Sequence, residues 1–385
     1  MTGCFRLDLN FGKGVGMKVA LVHDCLQEYG DAERLLSTLH QIYPQAPVYT
    51  AFVDRSRLGQ AAHRFTEWDI RSTFAQRLPG VRRFYQTYAA WWPYFWESLN
   101  LSEYDLVISS SGDFASQAVL TRSRTLHISY CHTPPRGLWE PIPPFPSDRW
   151  LSWTKPRRRQ YDFYAAQRVD RFVTSSERVV RRIRKFYRRA AEVIHPPVRV
   201  QRAGAAGTDY YLYVGDVNPL QQVDLVVQAC EQLDRPLWIV GTGSEVDRLQ
   251  SLAGNKVRFL AAVPEERMAE IYAGAIALIY PTAYEDFAMP PVAAMGHGVP
   301  VIACELSGMK EIILNYRTGL LFTQPTVAGL CEAILQFEKL RFSAMACIER
   351  AEEFAESTFI SKFEWFVAKA LDDYHSQATI ALEPV

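Results

Sequence analysis

The chain has 385 residues, 48% of them apolar and 22% charged, and its 42 lysines and arginines balance 42 acids. That length supports two hydrophobic cores, and with no net charge no nucleic-acid partner is expected. No apolar run approaches the roughly 20 residues of a membrane span, so the composition reads as a soluble globular protein. The seven cysteines are odd in number and include no close pair, which argues against a disulfide framework or a zinc site and points to a reducing cytoplasm. No metal site is expected. Residues 1–16 have neither a basic start nor a long hydrophobic segment and read as a disordered extension, with Met17 as an alternative start.

The charge is unevenly spread. Leu151 to Arg202 holds 15 lysines and arginines against 4 acids, whereas Glu285 to Val385 holds 7 against 14. The basic stretch, with Arg157 and Arg158 at its start, suits either an anionic membrane surface, a lipid-diphosphate acceptor or a solvated helix face.

In chain order, Lys18 to His23 reads as a buried strand, then a glycine turn containing Gly30, then a helix from about Ala32 to Ile42. Strand, glycine turn and helix make a phosphate cradle, because glycine admits close backbone approach and the helix end offers unpaired N–H groups. Asp31 reads by itself as the helix N-cap. The aromatic run Trp91-Trp92-Pro93-Tyr94-Phe95-Trp96 has a proline that should interrupt any helix, and it fits either core or an interface with lipid. Strands at Tyr104 to Ser111 and Leu126 to Tyr130 should end in one cleft. The second continues into Cys131-His132-Thr133-Pro134-Pro135-Arg136-Gly137-Leu138-Trp139. A strand at Arg171 to Ser175, a helix from about Glu177 to Tyr187, and Val193 to Pro197 close the first half.

Ala203 to Asp209 is small and flexible in composition and reads as a linker. Beyond it, Tyr210 to Val214, Pro236 to Val240, Val257 to Leu260 and Ala275 to Tyr280 alternate with helical segments, which implies a parallel sheet. Gly215 and Asp216 follow the first of these strands. After the last comes Glu285-Asp286-Phe287-Ala288-Met289-Pro290-Pro291-Val292-Ala293, a turn entering a helix that closes at Gly296 and Gly298. Ligands of open α/β sheets bind at such strand ends.

On these motifs the sequence resembles the retaining family 4 glycosyltransferases of the two-Rossmann-domain (GT-B) architecture, and among them the mannosyltransferase-like enzymes of bacterial surface-polysaccharide assembly. The match to Glu-x-Phe-Gly-x-x-Pro-x-Glu-Ala begins at Glu285, and the match to Tyr-x-His-x-Pro-x-Arg-x-x-Trp covers His132 and Arg136. The resemblance runs from Met17 to about Tyr374. It implies an α/β fold with two Rossmann-like domains facing a central cleft: residues 17–202 on the acceptor side, 210–357 on the nucleotide-sugar side, and 358–385 as a helix crossing back with a tail.

It also implies roles. His132 and Glu285 would be catalytic, at the donor sugar's reacting region. Gly30, Gly215, Asp286, Phe287, Ala288 and Glu311 would bind the donor, and Arg136, Trp91, Trp92, Arg157 and Arg158 would face the acceptor or a membrane. No cofactor is implied beyond a nucleotide-sugar donor. Four donor positions depart from the family: Asp31 replaces a glycine, Asp216 an arginine, Gln221 a lysine and Ala293 a glutamate. The cations at two of them would neutralise the diphosphate leaving group. Two functions follow. One is transfer of a hexose from a nucleotide sugar to a lipid-linked or saccharide acceptor with retention, in the cytoplasm or on the inner face of the plasma membrane. The other is a pseudo-glycosyltransferase, a subunit, scaffold or regulator of an active glycosyltransferase or of a homo-oligomer.

Overall fold

The computed structural model describes residues 16–140, 152–202, 207, 209–261 and 263–380. The expected extension before Gly16 lies outside the described residues, as does most of the 203–209 linker. By density of contacts the chain forms two compact units. One takes the chain up to Val173, Arg182–Ala191 and the end from Ala370; the other takes Thr174–Arg181 and Glu192–Lys369. These limits differ from a division at residues 203–209, because the turn after Thr174 and the chain from Glu192 onward pack with the second core.

The first sheet holds β1 (Val19–His23), β2 (Val48–Thr50), β3 (Ile70–Ser72), β4 (Leu106–Ser111), β5 (Leu126–Cys131), β6 (Arg171–Thr174) and β7 (Glu192–Val193), in the order β3-β2-β1-β4-β5-β6-β7. The pairs from β3 through β5 are parallel. Parallel pairing aligns strand ends, and the register sets His23 against Ser110 and Ser111 against Cys131. Strands β4 and β5 are buried along their whole length. Burial of every position, serines and His127 included, is that of a sheet covered on both faces.

The second sheet holds β8 (Tyr210–Val214), β9 (Leu237–Val240), β10 (Val257–Leu260), β11 (Ala275–Tyr280), β12 (Val301–Cys304) and β13 (Gly319–Phe322), in the order β10-β9-β8-β11-β12-β13. Every neighbouring pair in it is parallel. Chain order reverses between β8 and β11, so the carboxyl ends of these two strands flank the topological switch point. Gly215, the residue after β8, is held at φ +148. A Cβ on the neighbouring Gly241 would lie 1.9 Å from the Gly215 carbonyl oxygen, so only glycine fits there.

Several local expectations are corrected. Gly30, not Asp31, is the N-cap of the helix Asp31–Ile42, with Glu33 accepting from its N–H. Pro93 does not interrupt a helix but begins one, Trp92–Glu97, where a missing N–H costs nothing. Where the first half closes, the strand is only Glu192–Val193, since the Pro196-Pro197 pair cannot donate to a ladder. No helix among the described residues is long and apolar enough to cross a membrane.

Candidate functional site

In the first unit the ends of β1, β4 and β5 bring together a buried polar cluster. His23 Nδ1 lies 3.2 Å from Ser110 Oγ, and His23 Nε2 lies 3.3 Å from Glu33 Oε1. Ser110 Oγ is also 2.9 Å from Nε2 of His132. Glu33 Oε2 accepts from the Gly30 N–H at 2.9 Å, so the glycine turn is tied into the cluster. Burial would raise the Glu33 carboxyl, but the bonds and charge of His23 and the Gly30 N–H hold it below its ordinary range. Burial pushes the His132 imidazole down to about 4, so the ring is neutral at physiological pH.

Asp24 closes the same strand end. Its carboxylate accepts from the Gly112, Phe114 and Ser116 N–H groups at 2.8, 3.2 and 3.0 Å and so pins the loop after β4. Burial raises its pKa despite these donors. Sequence reading gave Asp24 no role, although a carboxylate one residue beyond a buried strand is the signal for such a pin.

A cavity of about 300 Å³ opens in this unit, lined among others by Trp92, Tyr94, Trp153, Arg157, Arg158 and Asp162. It gathers Trp92, Arg157 and Arg158, which the sequence placed on an acceptor or membrane side, while Arg136 begins the short helix Arg136–Trp139 one residue beyond the lining residue Pro135. The Arg158 guanidinium sits 4.9 Å from the centre of the Trp92 ring. The aromatic run divides: Trp92, Phe95 and Trp96 are buried, whereas Trp91 is 55%, Tyr94 64% and the neighbouring Trp153 73% exposed. Beneath the cavity, the buried Asp162 carboxylate accepts from Trp139 Nε1 at 2.6 Å, Tyr187 Oη at 2.9 Å and Gln117 Nε2 at 3.0 Å. Desolvation still raises it to about 6.

In the second unit, Gln221 Nε2 donates to Glu285 Oε2 at 3.1 Å. Gln221 is presented by a short 3₁₀ turn, Pro219–Gln221, whose N–H groups Asn218 caps. Thr282 Oγ1 ties the following loop to Leu220 with a 2.8 Å bond. The Glu285 carbonyl accepts from the Gly308 N–H at 2.8 Å, and a Cβ on Gly308 would lie 1.8 Å from the Asp286 carbonyl oxygen. Asp286 is buried and pairs with Arg178 at 3.4 Å; the same guanidinium donates to the Ala283 carbonyl at 3.0 Å and to the Leu306 carbonyl.

The remaining expected donor residues sit as follows. Phe287 is buried, stacked on His195 at 5.7 Å. Ala288 is the N-cap of the helix Met289–Gly296, whose second and third residues, Pro290 and Pro291, have no N–H to offer an anion. Ala293 is partly buried on that helix. The Glu311 carboxylate accepts from the Glu177 N–H at 3.0 Å and so caps another helix. Asp216 is exposed at the end of β8. Lys310 pairs with Glu305 at 2.8 Å. His132 and Glu285, joined as catalytic by the resemblance, belong to different units.

Residues 34–202 match the family model described as Glycosyltransferase Family 4, and residues 199–354 match that described as Glycosyl transferases group 1. The chain belongs to glycosyltransferase family 4. Among curated relatives in this family, a D-inositol 3-phosphate glycosyltransferase of Mycobacteroides abscessus is 30% identical over 177 residues, 43% of this chain and 40% of the relative. O-antigen chain mannosyltransferase B of Escherichia coli is 31% identical over 149 residues, 36% of this chain and 39% of the relative. The chain thus matches about two fifths of those relatives' length. Among solved structures, sucrose-phosphate synthase from Thermosynechococcus elongatus superposes with a TM-score of 0.71 at 16% identity, over 93% of this chain and 100% of the other. The apo lipopolysaccharide outer core galactosyltransferase WaaB gives 0.65 at 14%, over 90% and 98%. At such identities these structures establish the fold, which is the GT-B pair of Rossmann-like sheets expected for family 4.

Proposed function

We propose that this family 4 glycosyltransferase moves a hexose, with retention, from a nucleotide sugar to a lipid-linked or saccharide acceptor. The observation that carries the reading is the bond from Gln221 to Glu285, which supplies an amide donor to the carboxylate where family members have a lysine. Glu285 is thereby held at the carboxyl end of the second sheet, where a donor sugar is expected. Support comes from the kinds of reaction its relatives are named for, mannosyl transfer in one and transfer to an inositol phosphate in another. A HepE structure of the same fold was solved with UDP. On the acceptor side, the aromatic and arginine lining of the first-unit cavity suits a sugar ring stacked on tryptophan beside a phosphate. The exposed Tyr94 and Trp153, which line that cavity with Arg157, and the exposed Trp91 against Tyr94 support seating on an anionic lipid surface.

A second reading, the pseudo-glycosyltransferase, is favoured by the charges around Glu285. Asp216 faces solvent where relatives carry arginine, and the nearby Arg178 and Lys310 are already matched by Asp286 and Glu305. Each missing leaving-group contact costs on the order of 3 kcal/mol of transition-state stabilisation, a hundredfold or more in rate. The reading of an active enzyme is tested by assaying transfer from labelled UDP- and GDP-hexoses to a polyprenyl-diphosphate saccharide, with Glu285→Ala and His132→Ala beside the wild type. Activity that both substitutions abolish supports it. No transfer by the wild type, under conditions where a family member is active, supports the second reading.

A further inference from the structure

The cavity of the first unit is lined by groups of two kinds. Some are already engaged by the protein. Trp92 stacks on Phe114 with ring centres 4.9 Å apart, carries the Arg158 guanidinium 4.9 Å from its own centre, and is only 7% exposed, so it belongs to the wall. Asp162 belongs there too, since both of its oxygens accept from the side chains of Trp139, Tyr187 and Gln117.

The others are not engaged. Among the described residues, the Asp113 carboxylate and the Arg157 guanidinium line the cavity without a hydrogen bond or an ion pair. Both residues are exposed, yet Asp113 is not simply solvated. Crowding by protein raises its carboxyl, as does the charge of Asp24, while Arg136 and Arg158 act in the opposite sense. Arg157 is not among the charges that move it, so the two unpaired groups stand apart within one cavity. Trp153, 73% exposed, supplies an open ring between the same walls. A carboxylate accepts from two hydroxyls, a guanidinium forks onto a phosphate, and an indole face packs on the C–H face of a sugar. A phosphate beside Asp113 would be repelled, which sets the polarity of any sugar phosphate in the cavity. The volume of about 300 Å³ is at the small end for ligand sites and fits a single sugar ring better than a long glycan.

We propose that Asp113 is the specificity-determining residue of this cavity, accepting from the hydroxyls of a pyranose packed on Trp153 while Arg157 holds a phosphate borne by the same sugar. The ligand class is a glycosyl phosphate. The inference rests on the acceptor reading of the cavity given above and adds the residue that selects for hydroxyls. Within the protein Asp113 gains nothing: a carboxylate that is desolvated and unpaired in its ionised form lowers the stability of the fold, as groups kept for binding do.

The test is calorimetric titration of the full chain with mannose, glucose and galactose 1-phosphates and with inorganic phosphate. The wild type is expected to bind at least one hexose phosphate, and Trp153→Ala to weaken that binding several-fold, which places it in the cavity. Asp113→Asn is expected to weaken the hexose phosphate by about tenfold or more, the effect of one charge-assisted hydrogen bond. The same variant should bind inorganic phosphate no more weakly than the wild type, because a like charge is gone, and its urea midpoint should be no lower. Binding that Trp153→Ala weakens and Asp113→Asn leaves unchanged overturns the role of Asp113 while the acceptor reading stands. A lowered urea midpoint in Asp113→Asn marks a structural residue and overturns the role as well. No hexose phosphate binding by the wild type, or binding that Trp153→Ala leaves unchanged, overturns both.

Discussion

The amide of Gln221 donates to the carboxylate of Glu285 at 3.1 Å, across 64 residues of chain. A neutral donor to a charged acceptor is worth about 1.5–3 kcal/mol, and it orients the carboxylate without cancelling its charge as a lysine would. Gln221→Leu should therefore lower kcat/KM by about ten- to a hundredfold, and Gln221→Lys should raise it above the wild type. Steady-state kinetics check this; a Gln221→Leu enzyme as active as the wild type would contradict it.

Arg178 ties the Ala283 and Leu306 carbonyls to the buried Asp286 carboxylate. Removing Arg178 takes one partner from the buried Asp286 carboxylate, at a cost on the order of 3 kcal/mol reduced by the partial exposure of Arg178, whereas removing both groups costs far less. Arg178→Leu should lower the urea midpoint of unfolding, and Arg178→Leu/Asp286→Leu should recover much of the loss. A double variant whose loss equals the sum of the losses in Arg178→Leu and Asp286→Leu would show that the pair is not coupled.

Asp162 gives a pH signature. Its carboxyl binds a proton at about 6 in the folded chain against an ordinary value of 3.8, because burial outweighs the three donors facing it. Between those values the folded state holds more protons than the unfolded state, so stability falls as pH rises from about 4 to about 6, by at most about 3 kcal/mol. The replacement Asp162→Asn removes the titrating group. The difference in unfolding free energy between wild type and variant should slope across that window; parallel curves would contradict the assignment.

Trp91, packed against Tyr94, and Trp153, which lines the cavity with Tyr94 and Arg157, are exposed in the first unit. Vesicles containing about a third anionic lipid should pull down the wild type at low salt, and Trp91→Ala/Trp153→Ala/Arg157→Ala should reduce binding by about tenfold or more. Sedimentation that is absent in the wild type, or unchanged in the triple variant, would remove the membrane from the account.

Much of this fold was legible because its parallel strands are largely apolar runs. Tyr210–Val214, Val257–Leu260 and Ala275–Tyr280 stand where the residues placed them. Strands β2 and β3 were not read, since three residues are too few to show a period and their pairing with β1 is a tertiary event. The Glu285 turn was legible from its prolines and glycines. What filled it was not: no spacing rule announces that Gln221 bonds Glu285, that Arg178 matches Asp286, or that Glu311 caps the helix beginning at Glu177. Those pairings join residues 64 to 134 positions apart, and only the folded sheets bring them together.

The central claim is that the second unit still holds a nucleotide sugar without the family's two cations. Calorimetric titration with UDP, GDP and their hexose conjugates tests it most directly, on the wild type and on Asp216→Arg/Gln221→Lys/Ala293→Glu. Measurable binding by the wild type, tightened by roughly tenfold or more in the triple variant through the restored leaving-group contacts, is the predicted result. No binding by the wild type, with binding restored in the triple variant, would contradict the claim and assign the protein to the pseudo-glycosyltransferases.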